Sequence, residues 1–182
     1  MQNALIFLVQ TIADLYLLMF FLRFVMQWVR AGYHNPLSQF VVKVTNPLVV
    51  PARRVIPSVG GLDAATLVVL VILEIALTFV LLRLVAVTVP VLVFLFFALL
   101  RLISLVLWFY TGAVFIYVLL SWFGDRGGNP MAMLLGELVE PLLRPARRLL
   151  PPINGFDLSP LIVLLLLQAA MIALPLPAYL PR

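Results

Sequence analysis

The 182-residue chain has 65% hydrophobic and only 10% charged side chains, a mean hydropathy of +1.20 and a net charge of +5. A water-soluble domain needs about 25% charged residues to cover its surface, so lipid is the main solvent here, and the charge reads as arginines held against an anionic leaflet, not as a nucleic-acid surface. With no Cys and a single histidine, His34, disulfides, thiolate metal sites and histidine clusters are excluded, and no cofactor is expected.

Residues 4–29 form the first predicted transmembrane helix, an apolar run interrupted by Asp14 and Arg23 and closed by Trp28 at interface depth. No basic segment precedes it and no small-residue cleavage site follows. It therefore reads as a retained helix and not as a signal peptide. Asp14 and Arg23 are nine residues apart and lie on opposite faces, so each needs a partner elsewhere.

Asn35 and Pro36 then have the form of a helix N-cap and a first-turn proline, opening an amphipathic stretch. Pro47 and Pro51 stand four apart. Pro51 removes the hydrogen bond its N–H would give to the carbonyl of residue 47, which predicts a kink or break that re-aims "ARRVI", with Pro57 stopping it. Arg53 and Arg54 point about 100° apart on a helical turn. One reading makes them an anchor that snorkels to lipid phosphates. The other has one arginine bond a carboxylate such as Asp63 while its neighbour binds a phosphate or a partner. Gly61 marks a turn, and Asp63 stands where the N-cap of the second span, 64–82, belongs. That span carries Glu74. Residues 83–97 are apolar but too short for a full crossing, and are predicted as re-entrant or interfacial.

The chain then repeats itself. At an offset of 94 residues Trp28 falls on Trp122, Asn35-Pro36 on Asn129-Pro130, Pro47 on Pro141 and "PARRVIP" on "PARRLLP". Half of positions 46 to 63 are identical to their counterparts, mostly Pro, Arg, Gly and Asp, the types that fix backbone geometry and charge. This is a tandem duplication. It places Pro145, Arg147, Arg148, Pro151, Gly155 and Asp157 as the second set of hairpin residues, with Asp157, like Asp63, where a helix N-cap belongs, and the last two spans near 98–123 and 158–176.

Glu137, Glu140 and Arg144 form one polar stripe on the second amphipathic helix. Met133, Leu134, Leu138, Leu142 and Leu143 cover much of the rest and are expected to face the acyl region. Glu74 and Gln168 occupy equivalent places, giving a candidate polar path with Asp14. The plainer alternative is interhelical ion pairs and hydrogen bonds that hold a small bundle together.

The predicted fold is thus an all-α integral membrane protein of two tandem helix–interfacial hairpin–helix repeats, 1–88 and 89–182. Both "PARR" loops are equally basic, so the positive-inside rule favours four transmembrane helices with both loops cytoplasmic. Arg83 and Arg101 then fall at or near the outer boundary. Five helices with inverted repeats are the runner-up. No H-E-x-x-H, G-x-S-x-G or phosphate-binding glycine loop is present, so no enzyme is expected.

The doubled pattern, with "NPLVVPARRVIPSVGGLD" answered by "EPLLRPARRLLPPINGFDLSP", resembles the YggT family of bacterial and plastid membrane proteins. The resemblance covers almost the whole chain. It implies a bacterial inner-membrane location, a non-enzymatic role, and a link to osmotic tolerance, cell or plastid division or cytochrome b6 assembly. The expectation is a small scaffold whose Arg53, Arg54, Arg144, Arg147 and Arg148 bind anionic lipid, a partner membrane protein or a second copy. The rival is an ion or solute conduit using Asp14 and Glu74.

Overall fold

A computed structural model describes residues 2–32, 35–58, 60–123, 129–149, 157–178 and 180. The described residues form six helices: α1 (Gln2–Trp28), α2 (Pro36–Arg53), α3 (Ala64–Leu84), α4 (Val91–Phe123), α5 (Pro130–Leu149) and α6 (Ser159–Ala173). Stretches within α1, α3 and α4 are long and apolar enough to cross a membrane: Ala4–Trp28, Ala64–Leu84 and Val91–Ser121. α6 is apolar but shorter, at 15 residues. It ends because Leu174 precedes Pro175 and is driven into extended backbone. Leu5, Phe7, Ile12, Ile72, Leu92, Phe115 and Ile172 point outward, the surface of a protein solvated by acyl chains.

α1 packs most extensively on α3, with α2 lying against both; α4 packs on α6, with α5 against both. Phe20, Val25, Val49, Leu81, Leu105, Val114, Leu138 and Leu143 knit these groups into one core. The two groups also meet at the ends of their first helices. Asn35 donates through its side chain to the Pro130 carbonyl (2.7 Å), and the Gly32 N–H donates to the Glu137 carboxylate (3.2 Å). α2 and α5 therefore sit at the same end of the bundle.

Several expectations from the sequence are corrected. Residues 83–97 are not a separate re-entrant segment. α3 runs to Leu84, a turn closes with Ala86 at positive φ, and α4 is one continuous 33-residue helix from Val91. The apolar run before Arg101 simply extends the helix that follows it. Nor do the prolines break α2 or α5: α2 continues through Pro47 and Pro51 to Arg53, and α5 through Pro141 and Pro145 to Leu149. Pro47, Pro51 and Pro145 lie on exposed positions, and a carbonyl left without its donor on such a face is served by solvent or headgroups at little cost. α2 gives way to a turn at Arg54, before Pro57 is reached; Pro151 lies outside the described residues.

The apolar side of α5 is also not laid in the acyl region. Leu134, Leu138 and Leu143 are buried in the protein's own core, and of the apolar residues expected to face lipid only Met133 is exposed. A helix flanked by two apolar helices hides its stripe there first, since protein contact also packs it tightly.

Candidate functional site

The sequence around α2 builds a polar cluster at the end of the first three helices. Asn35 caps α2 by accepting from the Leu37 N–H (3.0 Å), which fixes the helix start. Eighteen residues later Arg53 emerges toward the loop before α3. Gly60 and Gly61, both at positive φ, turn that loop back so that Asp63 comes under Arg53. Arg53 Nε donates to both Asp63 carboxylate oxygens (3.1 and 3.2 Å), and Thr66 Oγ1 donates to the same group. Asp63 occupies the N-cap position of α3, yet its side chain makes no cap bond; the arginine takes it instead. Burial by itself would raise the Asp63 pKa, but the bonds from Arg53 and Thr66 outweigh it and hold the carboxyl below its ordinary range.

Arg23 completes this cluster from α1. It is almost fully buried and donates to Thr45 Oγ1 (2.7 Å) and Asn46 Oδ1 (2.9 Å) on α2, with its Nε 3.9 Å from Asp63. Arg23 thus ties the ends of α1, α2 and α3 together.

The second cluster uses the same scaffold with different charges. Arg147, the counterpart of Arg53, donates to Asp157 (2.8 Å), to Glu140 (2.8 Å) and to the Tyr117 hydroxyl (3.4 Å). Tyr117 and Glu140 stand where the first cluster has Arg23 and Asn46. Burial works to lower the Arg147 pKa, but Asp157 and Glu140 prevail and hold it above the ordinary guanidinium value. Asp157 is depressed in turn: Ser159 and Arg147 outweigh its partial burial. Asp157 is not the N-cap of α6, which is Leu158. It accepts from the Ser159 N–H two residues on (2.9 Å), an Asx turn that starts the helix one residue later. Arg144 reaches Glu140 at 3.7 Å from an exposed position. Gly155 lies outside the described residues.

Arg54 and Arg148 face outward, and among the described residues neither makes an ion pair. Each "PARR" therefore presents one arginine fastened to an aspartate and one on the surface.

Inside the helices a third cluster forms. Arg101 on α4 is completely buried; its Nε donates to Glu74 on α3 (2.9 Å) and its Nη2 to Asp14 on α1 (3.1 Å). Thr78 Oγ1 lies 3.4 Å from the same Glu74 oxygen. Arg101 is thus not at the outer boundary as expected. It sits more than two turns into α4, where leaving the charge unpaired in hydrocarbon would be costly. Gln168 does not join: it is exposed on α6, away from this cluster. The proposed Asp14–Glu74–Gln168 grouping is therefore replaced by Asp14–Arg101–Glu74.

The sequence pattern that defines CCB3/YggT proteins matches residues 2–85 and 96–177, ranges that contain all three clusters. The chain belongs to the CCB3/YggT family. It is 41% identical to YggT of Escherichia coli over 166 residues, which covers 91% of this chain and 86% of that protein. An uncharacterized protein of Pseudomonas aeruginosa is 41% identical over 170 residues, 92% of this chain and 86% of its own. An uncharacterized protein of Vibrio alginolyticus is 40% identical over 176 residues, 93% and 92% of the two chains. No solved structure matches the chain.

For this CCB3/YggT protein, sequence reasoning flagged Asp14 and Glu74 as a path but left Arg101 out of it. The missing signal was electrostatic: three lone charges in three separate apolar runs must meet, or each stays unpaired in the bilayer. Arg23 was noted as needing a partner, but its partners, Thr45 and Asn46, are ordinary helix residues that no spacing rule singles out.

Proposed function

We propose that the chain is a four-span scaffold of the bacterial inner membrane, made of two tandem repeats in parallel, with α2 and α5 at the cytoplasmic face. It organises anionic lipid or a partner membrane protein there and so supports envelope processes such as division or osmotic-stress tolerance. The observation that carries this reading is the division of labour in each "PARR". Arg53 and Arg147 are held by Asp63 and Asp157, while Arg54 and Arg148 stand outward at the end of the bundle where α2 and α5 meet. The locked arginine fixes the hairpin, and the outward one is available to phosphate or to an acidic partner.

A conduit through Asp14 and Glu74 fits less well, because Arg101 pairs with both carboxylates. Variants separate the readings in a strain lacking its own family member. Arg54→Gln with Arg148→Gln should abolish rescue of growth after osmotic shock at normal membrane levels. Wild-type rescue by that variant, combined with failure of a normally expressed Asp14→Asn/Glu74→Gln protein, would reverse the assignment.

Topology has its own test, made simple by the absence of native cysteine. Val55 and Leu149 are equivalent positions and are 83% and 82% exposed. Single Val55→Cys and Leu149→Cys proteins should both resist an impermeant maleimide on intact cells and both react after lysis. Labelling of one from outside would mean inverted repeats and would favour transport.

A further inference from the structure

Beside the first cluster lies a cavity of about 440 Å³ between α1 and α2, lined by Arg23, Gln27, Arg30, Ser38, Val42 and Arg53. It goes beyond the scaffold reading, which uses only the outward arginines. Two features distinguish it from an ordinary surface groove. Ser38 is 2% exposed, lines the cavity, and its hydroxyl has no hydrogen-bond partner among the described residues. A buried, unsatisfied hydroxyl costs roughly 1–3 kcal/mol, and a ligand that bonds to it would recover that cost. The second feature is charge. Among the described residues three arginines line the cavity and meet the Asp63 carboxylate, with Glu137 bonded to the neighbouring Gly32, which leaves a positive excess.

Arg30 adds backbone evidence. It holds φ of 55° as the left-handed residue that closes α1, with the Ala31 N–H donating to the Met26 carbonyl (2.8 Å) and its own N–H to the Gln27 carbonyl (3.2 Å). Glycine would take this position without strain. An arginine there sets a long cation at the mouth of the cavity.

The duplication supplies an internal comparison. At the offset of 94 residues a second, smaller cavity of about 210 Å³ is lined by Tyr117 and Ala132, where the first has Arg23 and Ser38, and by Glu137. The same place in the fold has thus lost its buried cation and the serine at position 38, and it carries Tyr117 and Ser121 instead. The cationic version belongs to the first repeat.

We infer that the cavity between α1 and α2 binds a phosphate group, with Arg23, Arg30 and Arg53 supplying charge and Ser38 donating a hydrogen bond. Its volume lies in the range of small-molecule sites and exceeds a bare phosphate. Ser38 and Arg53 stem from points roughly 22 Å apart along α2, so Ser38 bonds the ligand directly while Arg53 contributes charge from the far end of the cavity. Trp28 on α1 and Phe40 on α2, both exposed, offer apolar surface to an attached chain.

The test uses the full chain in neutral detergent, with dioleoyl phosphatidylglycerol, dioleoyl phosphatidylcholine and inorganic phosphate as probes, read by native mass spectrometry and thermal shift. Ser38→Ala removes no internal bond, so the variant should fold as well as the parent. It should nonetheless bind phosphatidylglycerol several-fold more weakly. Arg30→Gln, at an exposed position, should weaken it about tenfold, the loss of one charge-assisted bond. Arg83→Gln, an exposed arginine in the last turn of α3, should leave this binding unchanged, and Ser38→Ala should still rescue growth after osmotic shock, so the two readings fail separately. Binding of inorganic phosphate with the same variant sensitivity, and none of the lipid, would make the ligand a soluble phosphate. Equal binding of either probe by the parent, Ser38→Ala and Arg30→Gln would overturn the site.

Discussion

Replacing Arg101 with methionine should cost roughly 3–5 kcal/mol of stability, the largest effect expected of any single change in this protein. Methionine is shorter than arginine by two atoms but unbranched and adaptable, so it fills much of the same space. The penalty comes from what stays behind: Glu74, 1% exposed, and Asp14 lose the cation that both share. The two carboxylates then lack the counter-charge that offset their burial. Unfolding in a detergent titration would show the loss as a lowered midpoint. The triple change Arg101→Met, Glu74→Leu and Asp14→Leu should recover most of it, because a well-packed apolar set often equals a buried ion network in stability. If Arg101→Met alone were neutral, the cluster would not be holding α1, α3 and α4 together.

Asp63→Asn should be the next most damaging change, at roughly 3 kcal/mol, whereas Asp157→Asn should cost about 1 kcal/mol or less. The two positions are equivalent, and the difference lies in their surroundings. Asp63 is 3% exposed and lies 3.9 Å from the buried Arg23, so asparagine would remove a negative charge beside that guanidinium as well as beside Arg53. Asp157 is 32% exposed, and Arg147 keeps Glu140 when it is lost. The same pair should register in acid. Both carboxyls have depressed folded pKa values, so their stabilisation is fully present above the unfolded value of about 3.9 and is lost as pH falls through the folded one. Melting followed from pH 5 downward should therefore fall below about pH 4. The fall should be shallower in Asp63→Asn, which has no such proton to gain. Equal acid sensitivity in parent and variant would remove Asp63 from this role.

The all-helical fold and the paired "PARR" elements were legible in the sequence because they are written in periodicity and in residues with fixed backbone preferences. Asn35-Pro36 states where α2 begins, whereas α6 stops at Ala173, ahead of Pro175 and short of the expected 158–176. The Arg53–Asp63 pairing was readable as one of two options, since the two residues are ten apart across a glycine turn. Less was readable where tertiary context decided. Pro47 and Pro51 look like breakers, yet their freed carbonyls fall on an exposed face and the helix goes on. The segment before Arg101 looked like a separate short element because its length was measured from a repeat boundary. The continuous helix ignores that boundary. Gln168 matched Glu74 in position but not in environment, because the arginine that draws Glu74 inward has no counterpart beside α6: the residue equivalent to Arg101 is Phe7.

The unequal lengths of neighbouring helices carry one further consequence. α4 has 33 residues and α6, packed on it, has 15, so their axial lengths are roughly 50 and 22 Å. A hydrocarbon core of about 30 Å matches neither. Acyl chains against α4 are met by a surplus of apolar length, which tilt can absorb, while those against α6 must shorten. In the proposed four-span arrangement the annulus of lipid around the protein is then thick on one flank and thin on the other. At a cost of fractions of a kcal/mol per Å of misfit, such a body settles where the bilayer already varies in thickness, and it orients itself along that gradient.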